Sequence, residues 1–552
     1  MTTRVLIIGL DGAEWSVIQP LLAEGGLPNL QKLIEQGAFG PLNSTTPPMT
    51  LPSWSSMLTG CYPGTHGIFD FVHRDSRSGN WELEFTNSTH RRVPTIHEWL
   101  SLCGKRVASI AVPTTWPPSP VNGVMVSGFD SPVSTGIDGS FCYPQDLYAE
   151  IQTRFGGLHF ADFQESAVGE GWLEEARTLL LKEIARKQEI GQWLLEREDW
   201  DCFMLLFGES DTASHHFWRF FDPQSPRFDP QAPTELRQTI HDVYQRLDLA
   251  VGRLMESADA EVVCICSDHG FGGAGDYALF LNQFLASKGW LISKEGGSQS
   301  MGRVLDWTRR VALNWVPSGA QGRLFRLLPQ RLKSSLESRT RFGHIDFEKT
   351  VAVSDEMNYA ATIRLNTSGM SIKEEKSIIA DIRRDLLSWE VDGQHPVADV
   401  WYRDEIYQGE EVYRAPELIL ELNLREGYSY TLLPSLRANS NETWRRLTPA
   451  EYQGGKGLGM NGSHRQHGVF IVSGKNVRPQ RVEADMADIA PTLLYLLDEV
   501  IPSYMEGKIL KVSTTERTTR RVSYHPKPTV SQANNSSEHN AIRRRLEQLG
   551  YL

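Results

Sequence analysis

Three short apolar runs in this chain each lead into an aspartate: residues 5–10 into Asp11, residues 203–207 into Asp211, and residues 262–266 into Asp268. Runs of that length, rich in β-branched and aromatic side chains and closed by Gly or Asp, predict strands buried on both faces of a parallel sheet. In open α/β sheets the ligand crevice lies beyond the carboxyl ends of the strands, so three strand-end carboxylates can converge on one place. The expected fold class is therefore α/β, with a large, mostly parallel central sheet covered by helices on both faces.

The rest of the chain fits that frame. With 552 residues it exceeds what one simple core organises, so a large α/β core with inserted elements is expected. Helical patterns at 27–36, 95–102, 176–197 and 239–256 alternate with strand patterns at 106–112, 123–127 and 200–207. Residues 303–341 are markedly basic and interleave Leu, Val, Trp and Phe with Arg and Lys, which reads as an inserted helical lobe spanning 289–345. The core is expected in two parts, 1–288 and 346–512. A polar tail, 513–552, then carries a short basic helix at 541–549. The glycine-rich stretch 454–462 reads as a loop.

Composition excludes some classes. A net charge of −12 disfavours a surface that coats nucleic acid, which needs clustered Lys and Arg; a small phosphorylated ligand stays compatible. No segment approaches the roughly 20 apolar residues of a membrane span, and the first apolar run is too short for a signal-peptide core. Cys61, Cys103, Cys142, Cys202, Cys264 and Cys266 show neither disulfide-scaffold nor zinc-finger spacing and read as buried thiols. Cytoplasmic location is the expectation.

The residues beside the three aspartates are metal-ligand types. Asp211 and His215 are four apart, on one face of any helix beginning there. Asp268 and His269 are adjacent in Ser267-Asp268-His269-Gly270, and His464 follows Gly462-Ser463. Each piece alone would be a turn residue, a cap or a structural histidine. Together they are three carboxylates and three imidazoles, a donor set that suits zinc and admits manganese or iron. Two such ions a few Å apart stabilise both attacking and departing oxygens in phosphoryl transfer. The candidate nucleophile is Thr50 in Thr50-Leu51-Pro52-Ser53, which reads as a helix start with Thr at the N-cap and Pro just inside. A hydroxyl there faces the positive end of the helix dipole.

The ordered set Leu10-Asp11-Gly12, Met49-Thr50-Leu51-Pro52-Ser53 with Leu58-Thr59-Gly60 and His66-Gly67-Ile68, Asp211 with His215, Ser267-Asp268-His269-Gly270 and Gly462-Ser463-His464 resembles the alkaline phosphatase superfamily. Within it, the chain resembles type I phosphodiesterase/nucleotide pyrophosphatase proteins, over 5 to about 497. The resemblance implies an alkaline phosphatase-like fold and two divalent metal ions, zinc first. One would be held by Asp11, Asp268 and His269 and touched by Thr50, the other by Asp211, His215 and His464. It also implies hydrolysis of phosphodiester or pyrophosphate bonds through a phosphothreonine. A phosphomonoesterase or phosphoryl-group transferase on the same fold is the first alternative, and a non-catalytic binding protein the second. Two features depart from the pattern. Ser53 stands where family diesterases often carry Asn, leaving Ser53, Arg465 or backbone amides as candidate phosphate contacts. The nucleophile segment also resembles the sulfatase signature, with Thr50 in place of its modifiable Cys and Trp54 in place of its Arg; threonine cannot become formylglycine, which favours phosphate esters. His66 and Asp70 are candidates for support behind the site, and His216 and His467 for bystanders.

Overall fold

The computed structural model describes residues 2–73, 84–128, 139–157, 171–294, 344–356, 360–366, 369–438, 441–452, 454 and 459–524. The basic stretch 303–341 and the expected helix 541–549 lie outside them.

The apolar runs form the middle of a ten-stranded sheet. Strand Thr3–Leu10 lies between Trp200–Phe207 and Val262–Cys266 and is parallel to both; Val107–Val112 and Gly123–Ser127 extend the parallel set beyond Trp200–Phe207. On the other side His467–Gly474 runs antiparallel to Val262–Cys266, and Ala38–Asn43 runs antiparallel to it in turn. The expected mostly parallel sheet is thus present, with antiparallel additions at its flanks.

Alternation along each strand divides the interior into two cores. Leu6, Ile8, Phe203, Leu205, Val263 and Ile265 point to one face and pack on helices Pro28–Gln36, Trp172–Leu195, Glu209–Phe221 and Thr234–Ala258. Val5, Ile7, Cys202, Met204, Cys264 and Cys266 point to the other, against Thr50–Thr59, Ile96–Leu102 and Ile489–Leu496. Both faces are therefore helix-covered, which is why these strands read as continuous apolar runs rather than alternating ones. Cys264 and Cys266 share a face as expected, and five cysteines are buried; Cys103 is the exception, exposed at the end of helix Ile96–Leu102.

Register levels the strand ends. Leu10 sits opposite Phe207, and Gly9 opposite Cys266, so Asp11, Asp211 and Asp268 leave the sheet at one edge. Over that edge lies a smaller lobe. Strands Ala352–Val353, Thr362–Leu365, Leu418–Leu422 and Val397–Tyr402 form a four-stranded sheet in that order. With helix Ile372–Leu387 it encloses a separate core of Ile363, Ile382, Leu386, Val400 and Leu418. The second part of the expected core, 346–512, is therefore mainly this lobe until the central sheet resumes at His467–Gly474. Packed chain also continues into the expected tail: Arg521–Val522 pairs with Ile501–Pro502, and the Tyr524 ring lies 5.2 Å from Trp99. No helix among the described residues is long and apolar enough to cross a membrane.

One buried cation ties the loop before His464 to strands Gly270–Leu279 and Tyr428–Leu432. Arg227 donates to the carbonyls of Gly459, Met460 and Gly275 and to the Thr431 hydroxyl, and burial lowers its pKa to about 10. These contacts close the loop that leads into strand Gly462–Arg465. Arg227→Ala would leave those acceptors buried without donors, and a loss of about 3 kcal/mol in urea unfolding is expected. Arg227→Lys should recover only part, because an ammonium cannot span acceptors that a planar fork reaches together.

Candidate active site

The loop after strand Thr3–Leu10 is clamped to the loop after Val262–Cys266. Gly12 donates its N–H to Asp268 Oδ1 at 3.1 Å, Ala13 donates to Ser267 Oγ at 2.8 Å, and Ser210 Oγ donates to the Asp11 carbonyl at 2.6 Å. Gly12 has φ +64, and a Cβ there would stand 3.1 Å from Asp211 Cα, so the residue answers both to the turn and to the close approach. Asp11, Asp211 and Asp268 are all buried. Desolvation, then the neighbouring Asp11 and Asp211 carboxylates, push Asp268 well above the usual carboxylate range.

The histidines arrive by three routes. His215 lies one turn after Asp211 on helix Glu209–Phe221, with its Nε2 3.2 Å from Asp211 Oδ1. His269 follows Asp268 directly, its Nε2 3.3 Å from Asp268 Oδ2 and 3.7 Å from Asp11 Oδ1. His464 is delivered by strand pairing: Gly270–Leu279 continues from His269 into a second sheet, where Gly462–Arg465 runs antiparallel to it and places His464 opposite Phe271. The His464 Nε2 comes to 3.2 Å from both Asp211 Oδ1 and His215 Nε2, and its ring stacks on His269 at 3.4 Å.

Each Nδ1 contacts a carbonyl oxygen, which can only accept: His215 to Gly462, His269 to Gly270 and His464 to Pro48, all at 3.0 Å. The proton therefore sits on Nδ1, and all three Nε2 lone pairs face the carboxylates. Burial, then the His269 ring, holds His464 well below its ordinary pKa, so no imidazolium there relieves the crowding. Carboxylates and lone pairs this close in a buried site are the chemistry of a cation site. Two groups present ligand atoms within 4.8 Å of one another: Asp211, His215 and His464, and Asp11, Asp211 and His269. The first matches one expected ligand set. In the second, Asp211 stands where Asp268 was expected, while Asp268 borders the group through His269.

Thr50 is buried at the first turn of helix Thr50–Thr59, with its Oγ1 3.5 Å from His269 Nε2. The expected N-cap assignment is corrected by one residue. Met49, extended at φ −136 and ψ 140, is the cap, and its carbonyl accepts from the Ser53 N–H, which makes Thr50 the first helical residue and Pro52 the third. Proline is tolerated there because first-turn amides have no partner inside the helix. Ser53 faces the other candidates less directly: its Oγ lies 2.7 Å from Ser44 Oγ and 2.9 Å from Thr45 Oγ1 in a buried hydroxyl cluster. Arg465 is half-buried, and its guanidinium donates to the carbonyls of Gly273, Gly427 and His464 and to Ser429.

Sequence reasoning noticed Trp54 only as a departure from a signature. In the structure its indole N–H donates to Asp11 Oδ2 at 3.1 Å, and the ring lies so close to Gly9 that a Cβ there would meet it at 2.8 Å. Its spacing from Thr50, one helical turn, was the available signal. His66 lies farther down the same region: its Nδ1 accepts from the Ile68 N–H and its Nε2 contacts Ser56 Oγ at 3.0 Å. Asp70 is raised to about 7 by burial and by Asp355. His216 is buried with its ring 4.9 Å from Trp172, and His467 is exposed at a strand start.

Known proteins bear on this geometry. The profile of type I phosphodiesterase / nucleotide pyrophosphatase matches residues 5–443, ending short of His464. Phosphonoacetate hydrolase from Sinorhizobium meliloti 1021, solved with phosphonoformate, superposes with a TM-score of 0.51 at 17% identity, covering 90% of this chain and 95% of that one. Human ectonucleotide pyrophosphatase / phosphodiesterase 5 gives a TM-score of 0.47 at 12% identity over the same shares. No curated protein sequence matches this one. The chain thus belongs to the type I phosphodiesterase/nucleotide pyrophosphatase family of the alkaline phosphatase superfamily, and it is an enzyme that hydrolyses phosphoric esters.

Proposed function

We propose that the enzyme cleaves phosphodiester or pyrophosphate bonds with Thr50 as nucleophile on a two-cation site. The observation that carries this reading is the set of three Nε2 atoms turned toward buried carboxylates because each Nδ1 proton is committed to a backbone carbonyl. Asp11, Asp268 and His269 would hold one divalent cation beside Thr50, and Asp211, His215 and His464 the other; Asp211 is near enough to serve both groups. Zinc is the first choice for this donor set, with manganese or iron as alternatives. When bound, such ions lower the pKa of a neighbouring hydroxyl and offset negative charge on the transferred group.

The protein's own part is positioning. The helix start presents Thr50 Oγ1 beside His269. Trp54 fixes one Asp11 oxygen, leaving the other turned toward His269. In the reaction the Thr50 oxygen bonds to phosphorus as the bond from phosphorus to the leaving oxygen breaks; the hydroxyl proton is lost and the departing alkoxide gains one. Water then cleaves the phosphothreonine, restoring the hydroxyl and releasing the phosphate monoester.

Three outcomes are expected. Thr50→Ala should lower kcat on bis-p-nitrophenyl phosphate by roughly a thousandfold or more, and mass spectrometry of acid-quenched wild-type enzyme should find the phosphoryl adduct on the peptide that contains residue 50. An adduct on another residue would sink the assignment. Dialysis against a chelator should abolish turnover and lower Tm, zinc or manganese should restore both, and His464→Ala should bind less zinc by elemental analysis. Trp54→Phe keeps the ring but removes the donor to Asp11, so zinc affinity should fall about 10- to 100-fold; an unchanged affinity would mean the indole only packs.

A further inference from the structure

Strand Gly270–Leu279, which carries the chain away from His269, begins Gly270-Phe271-Gly272-Gly273, so Phe271 is the only one of these four residues with a side chain. Its buried ring enters the space between the Asp11 turn and the strand of His464. A Cβ on Gly12 would stand 3.1 Å from Phe271 Cδ2, and one on Gly462 would stand 2.5 Å from Phe271 Cε1, so both glycines make room for the ring. The Phe271 N–H donates to Glu14 Oε2 at 2.8 Å, which ties its backbone to the loop that follows Asp11. The Trp218 ring stacks on it with centroids 5.8 Å apart.

The same ring meets all three imidazoles. His215 lies edge-to-face with it at 4.7 Å between centroids, His464 is tilted at 5.5 Å, and His269 is tilted at 6.2 Å. These separations fall in the range where aromatic rings attract in tilted and edge-to-face arrangements. A hydrogen bond from Nδ1 to one carbonyl holds an imidazole at one point and leaves it free to swing about that contact. A packed ring supplies the second point, and with it the direction of the Nε2 lone pair. An apolar ring also offers no proton, so those lone pairs stay open to a cation. The three histidines do not depend on it equally. Phe271 is the ring nearest His215, whereas His269 is the farthest of the three from it and packs instead on His464 at 3.4 Å. Phe271 therefore bears most on His215 and His464, the pair that shares Asp211.

Resting on the two-cation reading above, we propose that Phe271 is a positioning residue for the cation of Asp211, His215 and His464: its ring fixes the swing of the two imidazoles and closes the apolar side of that site, while the cation beside Thr50 depends on it less.

The test uses the full chain, depleted of metal and titrated with zinc against a chromophoric chelator. Wild-type enzyme should take up two zinc ions. Phe271→Leu fills part of the space without a flat face, and it should weaken zinc binding by about tenfold or more at one site and little at the other. Phe271→Met, which fills the gap with a flexible thioether, should show the same selective loss. With cobalt(II) as the probe, singly loaded Phe271→Leu should give the absorption spectrum of singly loaded His464→Ala and not that of His269→Ala. Turnover of bis-p-nitrophenyl phosphate by Phe271→Leu should fall at limiting zinc and recover at excess zinc, a rescue that a misfolded site would not show. Zinc affinities unchanged in both variants, even where the metal-free protein melts lower, would mean that the ring only packs and would overturn the proposal. Equal weakening at both sites, or a cobalt spectrum matching that of His269→Ala, overturns it as well, and each of these results leaves the two-cation reading intact. Wild-type enzyme that takes up fewer than two cations overturns that reading and this proposal with it.

Discussion

Three buried carboxylates and three imidazole lone pairs are held together at one edge of a parallel sheet, and the surrounding structure is what keeps them there. Left to themselves these groups repel, and the low polarity of the site strengthens that repulsion. Strand register brings Asp11 level with the ends of the strands on either side. The clamp from Gly12 and Ala13 to Asp268 and Ser267 prevents the loops from separating. A cation is the physical complement to this arrangement, and backbone carbonyls set every histidine tautomer to receive one.

The two lobes divide the work. The sheet and its helices hold the polar cluster rigidly, because both faces of each central strand are buried in packed side chains. The smaller lobe has its own core and also lines a cleft beside His464. Arg227 holds the loop before His464 against Gly275 and Thr431. The last ligand candidate therefore depends on contacts with residues far from it in the sequence.

Much of the fold was legible because central strands buried on both sides leave an uninterrupted apolar pattern, as in residues 203–207 and 262–266. Asp211 and His215 were legible together because four-residue spacing puts them on one helical face. The helix start was misplaced by one residue, since Met49 caps through its backbone alone and its side chain carries no capping signal. The contact of Trp54 with Asp11 was not legible because that indole hydrogen bond joins residues far apart in sequence. Ser53 was a candidate substrate contact through the family resemblance and Arg465 as a cation that could replace it; in the structure their hydrogen bonds run to neighbouring hydroxyls and carbonyls. The family profile likewise stops before residue 464, so the strand that brings His464 home is visible in the coordinates rather than in that match.

By itself the sequence determined the sheet type, the strand-end aspartates and the ligand-type residues beside them, because hydrophobic periodicity and short-range spacing are local properties. Only the tertiary structure decided that His464 stacks on His269, that Asp211 stands between two ligand groups, and that residues of the smaller lobe line a cleft together with His464. Those outcomes depend on pairings between strands and lobes hundreds of residues apart, where packing and register, not local propensity, select the partner.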